Sequence, residues 1–430
     1  MEILYIPPET VDHIISFVPL NDKKTLASCS LSSRTFSAIA QPYLFRQFNV
    51  DGGERKRLKD LLAVACFLSR LAKHIWYISI KCSTSDDNDM VTKPLLLSEL
   101  MAALELLPNF RSVRLDSLAL FDDTPNTTSF YPVHIPHLRI HCDSSANEHS
   151  FLKLLSSLGD VDRLHITGLP SSDFPLAFAT RTVDILEPFL GNYPQLSAIT
   201  LMMRVKDIRI GPSFGSDIDS SLLLLGALCR SPTMYSLTFA SIYIDSFIIA
   251  ADVGCMVRSC TALEYLELDL RLPYYNKRTK EPLRDAFEWH KLCLSKCPTL
   301  RRLNVIGASK SRLFFSENAP LKLFLDILST APMSQLQELT CCLIISGWEI
   351  ASFLRSIFKD RRYSMDWKRF RSMLLECNNL KGLNFGMIDE FDPEASELFM
   401  SQLRELVLWE LAEWCDMEIV RVERMVVVQW

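Results

Sequence analysis

Three clusters of side chains in this 430-residue chain have types and spacings that could do chemistry. Gly211-Pro212-Ser213-Phe214-Gly215 has the G-x-S-x-G spacing of a nucleophile elbow, in which a strained strand-to-helix turn lifts a serine hydroxyl toward an acyl substrate. It follows a strand-like run, Val205–Ile210, and precedes a helix-like run, 221–228. Proline inside an elbow is awkward, however, and no Gly-rich oxyanion loop accompanies it. Glycine and serine also gather in ordinary loops. Ser213 is therefore read as a loop residue, with a serine hydrolase kept as the minor alternative. His290, Cys293 and Cys297 could share a helix face and so hold zinc. A helix packing its thiols inward is the simpler reading. Asp86-Asp87-Asn88-Asp89 reads as a surface loop rather than a calcium site. The chain has no P-loop, dinucleotide fingerprint, H-E-x-x-H or EF-hand pattern. The expectation is a protein without metal, cofactor or catalytic residues.

Composition points the same way. Lysine and arginine number 46 against 51 aspartates and glutamates, a net charge of −5, so nothing global calls for nucleic acid or an anionic membrane as partner. Hydrophobic residues at 48% and charged residues at 23% suit a globular chain that can bury a core. No apolar run reaches the roughly 18 residues of a membrane span. The first residues lack the basic end and long apolar core of a secretory signal. An intracellular protein, cytoplasmic or nuclear, is expected, with its 13 cysteines reduced and mostly buried.

The elements that would position any site follow a repeat. A six-residue template, apolar-x-x-apolar-x-apolar, is clearest at Leu263, Leu266 and Leu268; Leu300, Leu303 and Val305; Leu380, Leu383 and Phe385; and Leu403, Leu406 and Leu408. Weaker copies start at Ile75, Phe110, Ile135, Val161, Leu196, Met234 and Leu336. Their separations, about 23 to 44 residues, fall in the range of solenoid repeats. Helix-like apolar runs precede many copies, at 95–107, 150–158, 183–190, 221–228, 247–257, 321–328 and 370–375. Several end at a proline, which stops a helix and turns the chain toward the next strand. Cys260, Cys297 and Cys377 each stand three residues before a copy, which predicts a stacked, buried row. Strand then helix, repeated about eleven times, predicts an irregular leucine-rich-repeat solenoid over 49–430, with parallel strands concave and helices convex.

The template also predicts which side chains leave the core, because a strand alternates with period two. Tyr77, Lys81, Arg114, His137, Arg139, His141, Arg163 and His165 should face outward early in the array. Ala198, Thr200, Ser236 and Thr238 follow, then Tyr265, Glu267, Asp269, Arg302 and Asn304, with Trp409 near the end. Positive charge gathers at the N-terminal end. Tyr77, Arg114, His137, Arg139, Arg163, His165, Tyr265 and Arg302 are the candidate substrate-binding residues. A basic strip of this kind suits an acidic or phosphorylated protein segment, since arginine pairs carboxylate and phosphate bidentately.

The first 48 residues have a different pattern. Val11, Ile14, Ile15 and Val18 follow helical spacing after Pro7 and Pro8, and Pro19 ends that helix. Asn21 or Asp22 can cap a second helix through Leu26 and Cys29, and a third runs from about Ser32 to Ala40. From physics alone, this small unit could be a helical cap on a repeat scaffold.

Ile6-Pro7-Pro8-Glu9, His13-Ile14-Ile15, Phe17-Val18, Asp22, Thr25-Leu26 and Cys29-Ser30-Leu31-Ser32-Ser33-Arg34, then Phe36, agree in order and spacing with an F-box. The segment resembles the large class of fungal F-box proteins, which often continue, as here, with Tyr43-Leu44-Phe45 and a divergent repeat region. Ser32 departs from the aliphatic residue usual at its place, and Leu31 stands beside it. The resemblance implies a 1–48 F-box docking the Skp adaptor of an SCF ubiquitin ligase through Pro7, Pro8, Ile14, Leu26 and Leu31. Cullin and RING subunits would join through that adaptor, and the repeats would select a protein substrate.

Overall fold

The computed structural model describes residues 6–19, 22–51, 55–81, 95–118, 120–121, 123, 133–142, 148–168, 203–211, 218–229, 231–244, 247–270, 292–309, 320–345, 366–389 and 393–424. At the N-terminal end three helices fold against one another: α1 (Pro8–Ser16), α2 (Lys23–Ser32) and α3 (Arg34–Phe45). Their boundaries follow from local chemistry. Pro7 is the N-cap residue of α1 and Pro8 its first helical residue, where a helix has no use for an amide donor. Asp22 caps α2, accepting from the Thr25 amide at 3.1 Å and the Thr25 hydroxyl at 2.7 Å. Ser33 caps α3 by accepting from the Phe36 amide at 3.2 Å. The third helix thus begins after Ser32, and it runs through Pro42 to Phe45 instead of stopping near Ala40. Proline removes one amide donor there, and Tyr43 and Leu44, packed on the unit's core, hold the extra turn in place. That core is Val11, Ile15, Leu26 and Ala40.

The chain forms two compact units: Met1–Pro175 with Pro194–Val205 and Ser213–Ser220, and Leu176–Tyr193 with Lys206–Pro212 and Ser221–Trp430. In the first, strands β1 (Gln47–Asp51), β2 (Tyr77–Lys81), β3 (Ser112–Leu118), β4 (Val133–Cys142) and β5 (Leu158–Thr167) are parallel neighbours in chain order. In the second, β6 (Val205–Ile210), β7 (Phe239–Tyr243), β8 (Tyr265–Leu270), β9 (Arg302–Ser309), β10 (Glu338–Ile345), β11 (Gly382–Asp389) and β12 (Val420–Arg424) do the same. Helices intervene: α4 (Arg55–Phe67), α5 (Leu97–Glu105), α6 (Glu148–Ser156), α7 (Ile218–Cys229), α8 (Phe247–Ser259), α9 (Pro320–Leu328), α10 (Trp367–Leu375), α11 (Pro393–Glu410) and α12 (Ala412–Asp416). Strand and helix alternating, with the strands parallel and in register, make an α/β fold of the leucine-rich-repeat kind.

Template residues build the core in rows. Ile78, Val113, Leu138 and Leu164 stand side by side in the first unit, and Ile80, Leu115, Ile140 and Ile166 form the next row, all buried. In the second unit Ile208, Ala240, Leu266, Leu303, Leu339 and Leu383 do likewise. Each buried Leu or Ile contributes about 1.5–3 kcal/mol over an exposed one, so the repeat supplies its own stability. Cys260, Cys297 and Cys377 are buried as the pattern predicts, and burial pushes Cys260 up to about 12 and Cys377 up to about 11. An aromatic cluster of Phe324, Trp367, Phe370 and Phe385, with ring centroids 5.9–6.2 Å apart, joins α9, α10 and β11.

Three expectations are corrected. The copy read from Met234 is shifted: the residues facing inward are Leu237, Ala240 and Ile242, and a short helical turn occupies Thr233–Ser236. Phe239, Ser241 and Tyr243 therefore take the outward positions assigned above to Ser236 and Thr238. The copy at Leu403, Leu406 and Leu408 is not a strand but part of α11, where Met400, Leu403 and Val407 face inward at spacings of three and four. Short leucine runs fit both periods, and a helix wins when the inward face repeats every three or four residues. Cys293 has a left-handed backbone (φ 46°) and Leu294–Lys296 is a 3₁₀ turn, so Cys293 and Cys297 do not share a regular helix face. Leu196 and the run 183–190 lie outside the described residues.

Candidate functional site

Two kinds of surface remain after the core is assigned. The first belongs to the three N-terminal helices. Leu26 is wholly buried among Val11, Ile15 and Ala40, so it is a core residue of the unit and presents nothing to a partner. This corrects its place among surface anchors: capping at Asp22 sets the phase of α2, and that phase turns Leu26 inward. Pro7 and Pro8 are exposed, Ile14 is 56% exposed and Leu31 86% exposed. Phe17, 73% exposed, and Ile6 add apolar surface not singled out from sequence. Pro7, Ile14 and Phe17 are spaced along one side of α1, and His13 meets Phe17 edge-on with ring centroids 4.8 Å apart. A bulky apolar residue at a helix end, such as Phe17 beside Pro19, was the available signal. Ser32 is exposed and donates to the Cys29 carbonyl at 2.7 Å. Lys23 Nζ donates to the Leu44 carbonyl at 2.6 Å, fastening α2 to the end of α3.

The second surface is the outward face of the strands. In the first unit the register aligns Tyr77, Ser112, His137 and Arg163 in one row. Ser79, Arg114, Arg139 and His165 form the second row, and Lys81, Asp116, His141 and Thr167 the third. Arg114 Nε lies 2.6 Å from Asp116 Oδ2, and His141 Nδ1 lies 2.9 Å from the Thr167 hydroxyl. Below these rows, Trp76 is covered by the guanidinium groups of Arg46 at 4.6 Å and Arg111 at 4.2 Å.

In the second unit the outward face carries a stacked ladder. Phe239 and Tyr265 lie parallel with centroids 4.4 Å apart, Arg209 sits over Phe239 at 4.8 Å, and Arg302 over Tyr265 at 5.2 Å. Glu267 accepts from Ser241 (2.7 Å), Asn304 (2.6 Å) and the Tyr265 hydroxyl (3.2 Å). Burial and the Glu267 charge push Tyr265 up to about 12, which keeps its hydroxyl a donor. Tyr265 and Arg302 thus belong to a preformed network whose other members, Arg209 and Phe239, went unread. The true copy Leu237-x-x-Ala240-x-Ile242 would have found Phe239, but alanine in its middle weakens the pattern. Trp409 is 80% exposed on α11 rather than on a strand.

Among the described residues, no three His, Cys, Asp or Glu side chains gather as a metal ion requires. Ser213, His290, Ala198, Thr200 and the run 86–89 lie outside the described residues. Among the described residues, no helix is long and apolar enough to cross a membrane.

No family profile matches the chain, and no curated protein matches its sequence. Among solved structures it is similar to a chain of the crystal structure of the Rad7 and Elc1 complex in yeast. Identity is 12%, the match covers 92% of this chain and 85% of that one, and the TM-score is 0.33.

Proposed function

We propose that this protein is the substrate-recognition subunit of an SCF-type ubiquitin ligase. Its N-terminal F-box-like helices would dock the Skp adaptor, and the outward face of its strands would bind a protein substrate. The observation that carries the reading is the three-helix unit itself: a closed core with the F-box-like residues Pro7, Pro8, Ile14 and Leu31 left on its surface. An apolar surface on a small helical unit is what a partner buries, with a few anchors dominating affinity. Cullin and RING subunits would then join through the adaptor. The chain makes and breaks no bonds in this role; it holds a substrate beside the conjugating enzyme and raises the effective concentration at the transfer site.

The test is co-migration of the purified full chain with purified Skp adaptor on size exclusion, followed by addition of cullin and RING subunits. A complex that grows at each addition supports the reading. A full chain that never co-migrates with the adaptor leaves the N-terminal helices as a cap on a binding scaffold.

A further inference from the structure

The residues of β2 to β5 that are not buried include four cations, Lys81, Arg114, Arg139 and Arg163, and three carboxylates, Asp116, Asp160 and Asp162. They are not equally available. Arg114 is committed to Asp116, and Lys81 stands in register with Asp51 of β1. Among the described residues, no carboxylate pairs with Arg139 or Arg163. Arg139 Nε is moreover shut away from solvent with no hydrogen-bond partner. An unpaired buried donor costs free energy, so a turn of the side chain that brings it to an oxygen is favoured.

The register sets His137 beside Arg163 and Arg139 beside His165, so the two arginines sit on adjacent strands, offset by two residues. With strands about 4.8 Å apart and a rise of about 3.3 Å per residue, their Cα atoms are about 8 Å apart. Alternate side chains of an extended peptide repeat every 6.6–6.8 Å or so, close enough for the long guanidinium arms to take one carboxylate each. A single phosphoryl dianion would engage one arginine and leave the other unpaired, and it would feel up to about twice the repulsion from the nearby Asp116. Trp76 is already covered by Arg46 and Arg111, and Arg46 also lies 5.5 Å from the Tyr77 ring, so a nucleic-acid base finds no free ring among these described residues.

We propose that Arg139 and Arg163 bind an extended, unphosphorylated acidic segment of a partner protein, with carboxylates at alternate positions. The inference rests on reading the outward face as the receptor surface. The experiment is fluorescence anisotropy of the full chain with three short labelled peptides: glutamate at alternate positions, the glutamine counterpart, and that counterpart with one phosphoserine. The glutamate peptide is expected to bind, its glutamine counterpart not to bind, and the phosphoserine peptide to bind more weakly than the glutamate one. Arg139→Glu with Arg163→Glu should weaken glutamate-peptide binding by at least about tenfold. Circular dichroism checks that the doubly reversed chain is folded, and the milder Arg139→Gln with Arg163→Gln serves if it is not. No binding of the glutamate peptide, tighter binding of the phosphoserine peptide, or binding indifferent to both double variants would overturn the proposal. Adaptor capture by the same preparations separates the two readings. Capture retained without peptide binding sinks only this inference, whereas capture absent in the unaltered chain sinks the ligase reading.

Discussion

At the residue scale, Leu26 and Leu31 stand five positions apart on one helix and do opposite work. Leu26 closes the core of the N-terminal unit, while Leu31 lies on its surface. Leu26→Ala should cost about 2–5 kcal/mol through lost burial and the cavity left behind. Leu31→Ala should stay within about 0.5 kcal/mol of the parent. Thermal denaturation of the two variants measures the contrast, and equal losses would mean that α2 is rotated from the phase described. Asp22 gives a pH handle on the same helix. Hydrogen bonds from the Thr25 hydroxyl and amide hold its carboxyl below the ordinary 3.8. The folded pKa is thus the depressed one, so the stabilisation is present above pH 3.8 and fades as pH falls through the folded value. Asp22→Asn keeps a capping oxygen that cannot titrate, and its stability should fall less steeply on acidification. Identical acid limbs for parent and variant would remove Asp22 from the account.

At the scale of elements, what could be read from sequence depended on how sharply a segment declares its period. After Leu263 the run Leu266-Glu267-Leu268-Asp269-Leu270 alternates apolar and acidic residues with period two, and it forms β8. Leu403-x-x-Leu406-x-Leu408 fits strand and helix alike. Its neighbours Met400 and Val407 complete a helical stripe that the six-residue template never sampled. Caps were legible where a single side chain acts on a nearby amide, as at Asp22, but not where packing carries a helix through Pro42. Backbone hand was not legible. Glu418, just after α12, adopts the left-handed region at φ 57° and leads the chain into β12. A side chain there costs about 1–2 kcal/mol that glycine avoids, less glycine's extra unfolded-state entropy. Glu418→Gly should raise the denaturant midpoint, by a net gain of up to about 1 kcal/mol. A lower midpoint would mean that the Glu418 side chain has a stabilising role.

Across the whole molecule, the repeat was legible because inward residues recur as a row, each strand repeating the last. The outward residues have no such constraint. Tyr77, Arg114 and Arg139 could be placed only after the inward rows fixed the register, and a shift in one copy put Ser236 where Phe239 belongs. What the surfaces bind is set by chemistry that a periodic pattern does not encode, which is why the adaptor reading rests on the order and spacing of residues 6–36. The most direct measurement is an equilibrium titration of purified Skp adaptor against the full chain, against Ile14→Asp with Leu31→Asp, and against Trp409→Asp as an exposed apolar control. The account predicts tight binding by the parent and the Trp409 variant, and loss of binding by the double variant with its fold intact. Binding unaffected by the double change, or absent from the parent, would contradict it.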